Sequence, residues 1–258
     1  MPTKPPRTED RPEGDRIAKL LARAGIASRR EVERMIADGR VTIDGKAVES
    51  PATFLTSLRG IAVDGKPVAA PEPAQLFAFH KPVGLITAER DPKGRSTIYD
   101  ALVNALPKDA PRVMPVGRLD INTEGLLLLT NDGELKRQME LPSSGIPRTY
   151  RARAFGEVSQ AQLDDLIEGV EIEGVRYGSI NANLERGTGR NIWVEMTITE
   201  GKNREVRRVL EWLGLKVNRL IRTAYGPFEL GDLPRGAAAR IRKQDLGRFM
   251  STLKRAEK

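Results

Sequence analysis

The sequence contains no cysteine and a single histidine among its 258 residues. The absence of cysteine excludes disulfides, thiolate metal sites and cysteine nucleophiles. One histidine, His80, is too few for a histidine-rich metal site and for most histidine-based catalysis. Aromatic residues make up 5% of the chain, which is too few for a broad base-stacking surface. We therefore expect chemistry that uses no metal and no cofactor bound through these residues.

Long apolar runs are also missing. No run approaches the ~18 residues that a membrane-spanning helix needs. The segment 1–14 is rich in proline and charge and has no apolar stretch of the kind found in secretory signals. These absences fit a cytoplasmic protein without a membrane partner.

Positive charge is what the sequence has in excess. Forty-three lysines and arginines face 35 aspartates and glutamates, which gives a net charge of +8 and an isoelectric point near 9.8. A surface of this kind suits a polyanion, and nucleic acid is the usual one. A general enrichment in arginine, unrelated to any partner, is the alternative.

The chain divides by composition into five segments. Residues 1–14 are predicted to be a disordered tail, because they hold almost nothing to bury. A small module at 15–68 is separated by a proline-containing linker at 69–75 from a larger domain at 76–248. Residues 249–258 are predicted to be a basic C-terminal tail.

The small module reads as a helix pair followed by short strands. Asp15 is the predicted N-cap of a first helix that Gly25 ends, and Ser28 opens a second helix through a capping box. The stretches "VTIDGKAV" and "IAVDGKPV" each predict a strand that enters an Asp-Gly turn.

The larger domain mixes strands and helices without a regular βα repeat. The leucines of "GLLLL" (125–129) predict a buried strand, and Ser96 is a candidate helix cap. The stretch "NIWVEMTI" alternates strictly and predicts a strand, whereas "NREVRRVLEWLG" has helical spacing. We therefore predict an α+β fold with a mostly antiparallel sheet.

The first helix pair resembles a known RNA-binding module. The stretch "RIAKLLARAGIASRREVERMIADGRVTIDGKAV" is similar to the S4 domain, which implies RNA binding but not catalysis. Basic residues at its polar positions are candidate phosphate contacts. A solvated helix face without a partner is the alternative. The candidates are Arg16, Lys19, Arg23, Arg29 and Arg30.

Four motifs of the larger domain resemble the RsuA/RluB/RluE/RluF group of pseudouridine synthases. They are "HKPVGLIT", "GRLDINTEGLLLLTNDG", "RTYRAR" and "TEGKNREVRRVLEWLGLKVNRLIRTAYGPF", which begin at 80, 117, 148 and 199. The resemblance implies a monomeric RNA isomerase that needs neither metal nor cofactor. It implies that a uridine of ribosomal RNA, free or in a ribosome assembly intermediate, becomes pseudouridine.

The form "GKNREVRR" favours the RluB type and therefore 23S ribosomal RNA. Two alternatives to this interpretation stay open, and a third is disfavoured. The enzyme could act on 16S RNA, or the chain could be a non-catalytic S4-type ribosome-assembly protein. A metal-dependent nuclease is disfavoured, because histidines are missing and the carboxylates are scattered.

The resemblance also implies the catalytic residues. Asp120 matches the family's catalytic aspartate, Tyr150 its acceptor of the C5 proton, and Arg207 the cation that pairs with the aspartate. A desolvated carboxylate needs such a cation to stay charged. Read without the family, Asp120 could be a turn residue and Tyr150 a half-buried strand residue.

The remaining candidates are basic residues that would meet RNA. The target uridine must leave its stack before it can react, and Arg118, beside the acid, could fill the vacated space or hold a phosphate. Lys81 could contact RNA or brace the nearby loop. The complete set of candidate RNA-binding residues in this domain is Lys81, Arg118, Lys202, Arg204, Arg208, Arg219 and Arg222.

Overall fold

The computed structural model describes residues 13–188 and 190–256, so most of the predicted tail at 1–14 lies outside the described residues. The chain divides into two compact units, one that ends at Pro73 and one that begins at Ala74. The boundary falls inside the segment predicted to be a linker. No helix among the described residues is long and apolar enough to cross a membrane.

The first unit consists of two helices and six short strands. They are β1 (Asp15–Arg16), α1 (Ile17–Arg23), α2 (Arg29–Ala37), β2 (Val41–Ile43), β3 (Lys46–Ala47), β4 (Phe54–Leu55), β5 (Ile61–Val63) and β6 (Lys66–Pro67). The four strands of the two Asp-Gly hairpins form one sheet in the order β3-β2-β5-β6, and β1 pairs with β4. The apolar faces of both helices close over this sheet in a core that includes Ile17, Leu21, Val32 and Ile61.

The start of α1 differs from the prediction. Asp15 is not the N-cap, because it pairs in β1 with Leu55, and Arg16 takes the cap position without a side-chain hydrogen bond. The Asp15 carboxylate instead accepts a hydrogen bond from Lys19 at 2.7 Å, one turn into the helix. Ser28 does cap α2, since its hydroxyl accepts from the backbone N–H of Glu31.

The second unit contains the remaining elements. They are β7 (Leu76–Lys81), α3 (Ile98–Ala105), β8 (Met114–Pro115), β9 (Glu124–Thr130), α4 (Gly133–Glu140), β10 (Arg148–Phe155), α5 (Gln160–Asp164), β11 (Val170–Ile172), β12 (Val175–Tyr177), β13 (Ile180–Thr188), β14 (Asn191–Ile198), α6 (Glu205–Trp212), β15 (Lys216–Tyr225), β16 (Phe228–Glu229), β17 (Ala238–Arg240) and α7 (Lys243–Ala256). The cap of α3 is Thr97 rather than Ser96.

One large mixed sheet runs through this unit. Its strands follow the order β13-β14-β10-β15-β9-β7-β17, with β16 beside β15 and β8 beside β9. Among the described residues, every strand pair of this sheet is antiparallel except β9 with β15. The predicted α+β class is therefore confirmed.

The leucine run forms the buried strand that its composition predicts. Every residue of β9 is buried. Leu126 and Leu128 pack with α4 and α7 on one side, whereas Leu127 and Leu129 pack with α3 on the other. A strand covered on both faces reads as a continuous apolar run rather than an alternating one.

The other half of the sheet has one covered face. In β14 the residues Ile192, Val194, Met196 and Ile198 point into a core closed by α5 and α6, while the residues between them are only half buried. This is the alternation expected of an antiparallel strand with one solvated side.

The predicted boundary at 248 cuts a helix. Helix α7 runs from Lys243 to Ala256, and Phe249 and Leu253 are buried against the core that contains Leu126 and Tyr225. The interpretation of 249–258 as a tail is therefore wrong for its described residues.

Candidate active site

The loop that carries Asp120 lies between β8 and β9 and is held by polar contacts along its length. Gly117, at φ 66°, donates its N–H to the Glu140 carboxylate at 2.6 Å. Leu119 exchanges two hydrogen bonds with the Thr87 hydroxyl, at 2.8 and 3.2 Å. Thr123 donates its N–H to the Asp120 carbonyl at 3.0 Å. Such bonds fix the backbone from which the carboxylate projects.

Lys81 is the central brace of this loop. It exposes none of its side chain, and its ammonium donates to the carbonyls of Pro82, Asp120 and Thr123 at 3.0, 3.1 and 2.9 Å. Burial lowers the pKa of Lys81 to about 8, which nearby carboxylates partly oppose. Of the two roles predicted for Lys81, the structure shows the brace of the loop; the three carbonyls use all its donors inside the protein, which leaves none for RNA.

The cation in ion-pair range of Asp120 is Arg204 rather than Arg207. A guanidinium nitrogen of Arg204 lies 3.7 Å from Oδ2 of Asp120, and the two side chains are 41% and 37% exposed. This pair joins the loop before β9 to the residue that precedes α6. Asp120 is therefore open to the solvent side, not sealed in a dry pocket in the free protein.

Arg207 supports the loop from beneath. It is buried, and it donates to the carbonyl of Asn122 at 2.7 Å. Burial lowers the pKa of the Arg207 guanidinium, as does the charge of Arg204, while Asp120 raises it. The direct Arg207–Asp120 pair expected from the resemblance is not formed, but the two charges still interact.

Tyr150 faces the same cavity from the strand β10. Its hydroxyl lies 3.5 Å from a guanidinium nitrogen of Arg222, which is buried and also donates to the Leu126 carbonyl at 2.7 Å. Arg222 is not one of the exposed arginines, since only 2% of it is exposed, and its contact with an RNA phosphate stays a prediction. Arg222 lies instead in the cavity wall behind the tyrosine ring.

These groups line a common cavity of about 640 Å³. That size is in the range of small-molecule and nucleotide pockets. Asp120, Tyr150, Arg204 and Arg207 all contribute to its wall, and so does Arg118. The structure thus brings together all three predicted catalytic residues.

The end of the cavity formed by the segment 200–205 contains an unusual acid. Glu205, the first residue of α6, is 2% exposed, and its carboxyl accepts the N–H of Lys202 at 2.8 Å. Burial raises its pKa to about 7, and the neighbouring Glu200 adds to the effect. Glu200 itself accepts from Lys202 and from the N–H of Gly178.

The other residues predicted to bind RNA in this unit differ in exposure and in their hydrogen-bond partners. Arg118 and Arg208 are exposed, whereas Lys202 is engaged with Glu200 although it remains exposed. Arg219 is bonded to the buried carboxylate of Glu124, which also holds Arg235 at 3.0 Å. The role of these residues in RNA binding stays a prediction.

The predicted contacts of the first unit lie on its outer surface. Lys19 is half buried and paired with Asp15, and the Arg16 guanidinium stacks 5.8 Å from the centre of the Phe54 ring. The other three, which are Arg23, Arg29 and Arg30, are exposed. In the described part of the chain, no group of three or more His, Cys, Asp or Glu side chains could hold a metal ion.

Comparison with known protein families identifies the family to which these residues and this fold belong. Residues 75–212 match the RNA pseudouridylate synthase family, and residues 15–57 match the S4 domain. The chain belongs to the RNA pseudouridylate synthase family. As a synthase with an S4 domain, it acts on RNA and isomerises uridine to pseudouridine.

Relatives of the synthase are similar along most of its length. A Rickettsia felis protein named an uncharacterized RNA pseudouridine synthase is 43% identical over 231 residues, which cover 90% of this chain and 98% of that protein. Ribosomal large subunit pseudouridine synthase B of Escherichia coli is 42% identical over 229 residues, covering 86% and 77%. The corresponding Pasteurella multocida protein is 42% identical over 230 residues, covering 87% and 66%.

A solved structure shares the fold of the synthase. A crystal structure described as a pseudouridylate synthase superposes with a TM-score of 0.62 at 26% identity, covering 90% of this chain and 98% of that one. Both units of the synthase therefore have a counterpart of similar length in a protein of the same activity class.

Sequence reasoning missed several supporting residues of the synthase. The clamp by Thr87 and the acid Glu205 carry no signal that distinguishes them from ordinary surface residues. Lys81 was not missed, since a brace of the nearby loop was one of its two predicted roles. The pairing of Arg204 rather than Arg207 with Asp120 depends on a backbone conformation that no periodicity reveals.

Proposed function

We propose that this synthase converts one uridine of large-subunit ribosomal RNA to pseudouridine, with Asp120 as the catalytic carboxylate. The observation that carries the proposal is the position of Asp120. It projects into the cavity from a loop fixed by Lys81, Thr87 and Glu140, opposite Tyr150. The large-subunit assignment is supported by the 42% identity to synthase B over most of the chain.

The reaction needs a carboxylate and a means of handling one proton. The bond between C1′ and N1 breaks, the uracil turns, and C5 joins C1′. A proton leaves C5 and another arrives at N1, so no atom is gained or lost. The Asp120 carboxylate serves as the nucleophile or proton acceptor that starts this sequence. It needs a preorganised cationic surrounding, which Arg207 provides from its buried position against the Asp120 loop.

Tyr150 is the proposed acceptor of the C5 proton. Its hydroxyl lines the cavity beside the buried guanidinium of Arg222. A fixed positive charge at 3.5 Å stabilises negative charge on the phenolic oxygen while the proton passes. The tyrosine ring also offers a flat apolar surface to the turned-out base.

The S4 unit is the proposed anchor that delivers RNA to this cavity. Its exposed arginines neutralise phosphates, while the reacting groups all lie in the second unit. We further propose that the synthase works as a single chain in the cytoplasm, on free ribosomal RNA or on an assembly intermediate.

The test is tritium release from RNA labelled at C5 of uridine. Asp120→Asn keeps the size of the side chain but cannot act as a nucleophile or base, so we expect no measurable release although the variant still binds RNA at least as tightly as the wild type. Mapping of pseudouridine in ribosomal RNA from cells that lack the protein gives the target.

A matched control is Asp132→Asn, since Asp132 caps α4 through its side chain and lies outside the cavity lining. It should release tritium at the wild-type rate. Substantial release by the Asp120→Asn enzyme would overturn the role of Asp120. Loss of a pseudouridine from small-subunit RNA alone would overturn the substrate.

A further inference from the structure

Arg204 has a backbone conformation that sets it apart. Four residues other than glycine have positive φ in the described part of the chain, and they are Asp44, Asp64, Glu173 and Arg204. The first three each precede a glycine in a hairpin turn, where two left-handed residues are expected. Arg204, at φ 51° and ψ 29°, precedes a helix instead. Backbone strain of this kind concentrates at functional sites.

The side chain of Arg204 is not used by the helix that follows it. Capping of the first turn needs a side-chain acceptor, and a guanidinium only donates. Arg204 occupies the N-cap position of α6 without a side-chain cap bond. Its guanidinium extends into the cavity and stops near Asp120.

The contact that it makes there is loose. The two side chains approach to 3.7 Å without a hydrogen bond that meets normal geometry, and both are more than a third exposed. Exposed ion pairs of this kind contribute little to stability. Arg207 differs, because it is buried and bonded to the loop itself at 2.7 Å. The loop therefore keeps its shape whether or not Arg204 stays.

We propose that Arg204 is an exchangeable counter-ion: it pairs with Asp120 in the free enzyme and transfers to a backbone phosphate next to the target uridine when RNA binds. This inference rests on the proposed function, because it takes Asp120 as the catalytic group. A phosphate offers Arg204 a stronger, bidentate partner than the distant carboxylate does. The transfer uncovers Asp120 only when substrate is present, while Arg207 keeps a positive charge beneath it.

The exchange makes a prediction about the sign of an energetic coupling in RNA binding. In the wild type, binding must break the Arg204–Asp120 pair, so Asp120→Asn should tighten binding. In an Arg204→Gln background there is no pair to break, so the same change should tighten binding less. Arg204 could instead stay paired with Asp120 in the complex. In that case Asp120→Asn would increase the RNA affinity more in the Arg204→Gln background, because there no arginine screens the carboxylate from the RNA phosphates. The two arrangements thus give couplings of opposite sign.

The experiment measures dissociation constants for the wild type, both single variants and the double variant. The common ligand is a large-subunit ribosomal RNA transcript that has been incubated with wild-type enzyme and repurified, so that no variant can turn it over. We expect Asp120→Asn to tighten binding by about 3- to 10-fold with Arg204 present and by less than about 2-fold without it. Equal gains, or a larger gain without Arg204, would overturn the exchange.

Salt dependence gives a second readout. If Arg204 moves to a phosphate, Arg204→Gln should make the slope of log K against log salt shallower by about 0.7 to 0.9. Arg204→Lys keeps the charge and the same backbone conformation, and it should restore the slope. Arg248→Gln, on the exposed side of α7, is the charge-matched control and should leave the slope unchanged. An unchanged slope in Arg204→Gln would contradict the proposal.

Kinetics complete the test. The loss of kcat/KM in Arg204→Gln should reside in KM, since the residue meets RNA rather than the reacting atoms. A loss confined to kcat would overturn the exchange, because it would mean that Arg204 stays with Asp120 during the reaction. Binding is measured without turnover, so its outcome remains readable even if Asp120→Asn proves active and the proposed function fails.

Discussion

Glu205→Gln should stabilise the second unit at high pH and much less at low pH. The carboxyl of Glu205 is 2% exposed, and burial raises its pKa from the ordinary 4.5 to about 7. A raised acid pKa means that the folded protein prefers the protonated form. The stability of the wild type is therefore greatest below pH 4.5 and falls as pH rises towards 7, because the unfolded chain releases this proton first.

The magnitude follows from the same two values. One pKa step corresponds to about 1.4 kcal/mol, so the full interval between 4.5 and about 7 corresponds to roughly 3 kcal/mol. Part of this stabilisation is already lost at pH 5. The free energy of unfolding of the wild type should therefore fall by roughly 2.5 kcal/mol between pH 5 and pH 8 through this group. Glutamine does not titrate, and its amide can still accept the N–H of Lys202 and donate to Glu200.

Urea unfolding at pH 5 and pH 8, at constant ionic strength, measures the effect. The two tryptophans of the chain, Trp193 and Trp212, both belong to the second unit, so their fluorescence reports its unfolding alone. We expect the stability gain of Glu205→Gln to be about 2 to 3 kcal/mol larger at pH 8 than at pH 5.

The control is Glu211→Gln, an exposed residue on the same helix. Its free energy of unfolding should change by less than about 0.5 kcal/mol at either pH. If Glu205→Gln changed stability equally at both pH values, Glu205 would not titrate in this range in the folded protein. The reasoning from its burial would then be refuted.

Two further predictions concern catalysis and RNA anchoring. Tyr150→Phe keeps the ring but loses the hydroxyl, so RNA affinity should stay within about 2-fold while single-turnover tritium release slows by about 100-fold or more; normal turnover at saturating RNA would instead indicate a packing role. A fragment that starts at Ala74 keeps the three hydrophobic cores of the second unit intact and should fold and retain activity on a short RNA. Its RNA affinity should fall and its salt slope become shallower, because phosphate contacts are lost; an unchanged slope would show that the S4 unit is not the anchor.

The residues whose role could be predicted from the sequence are those that belong to a short motif or to a regular alternation of apolar residues. The leucines 126–129 had to be buried, and the alternation at 191–198 had to make a half-covered strand. Asp120 and Tyr150 were found through motifs and do meet in one cavity. Hydrophobic periodicity and short motifs are local, and they survive into the folded structure.

The residues that could not be predicted depend on contacts between distant segments. The sequence left two roles open for Lys81, and only the folded chain decides between them, because the loop 39 residues later brings the carbonyls of Asp120 and Thr123 to its ammonium. Arg204 and Arg207 are equivalent in a motif, and only the left-handed backbone at Arg204 decides which one reaches the acid. Phe249 and Leu253 look like parts of a basic tail until a core exists for them to join.

The parallel pairing of β9 with β15 bears on how much the chain between them can vary. Ile221 lies beside Glu124 and Arg222 beside Gly125, so the Asp120 loop and the end of α6 enter the sheet at the same edge. A side chain at Gly125 would approach within 2.3 Å of the Arg222 carbonyl, which keeps the two strands in this close contact. The position of the Asp120 loop relative to Arg222 is thus set across two adjacent strands rather than through the chain that joins them. A change in the β11–β12 hairpin would still reach the reacting groups, because the carbonyl of Arg176 in β12 accepts from Lys202, and Gly178, which follows β12, donates its N–H to Glu200 in the segment that carries Arg204.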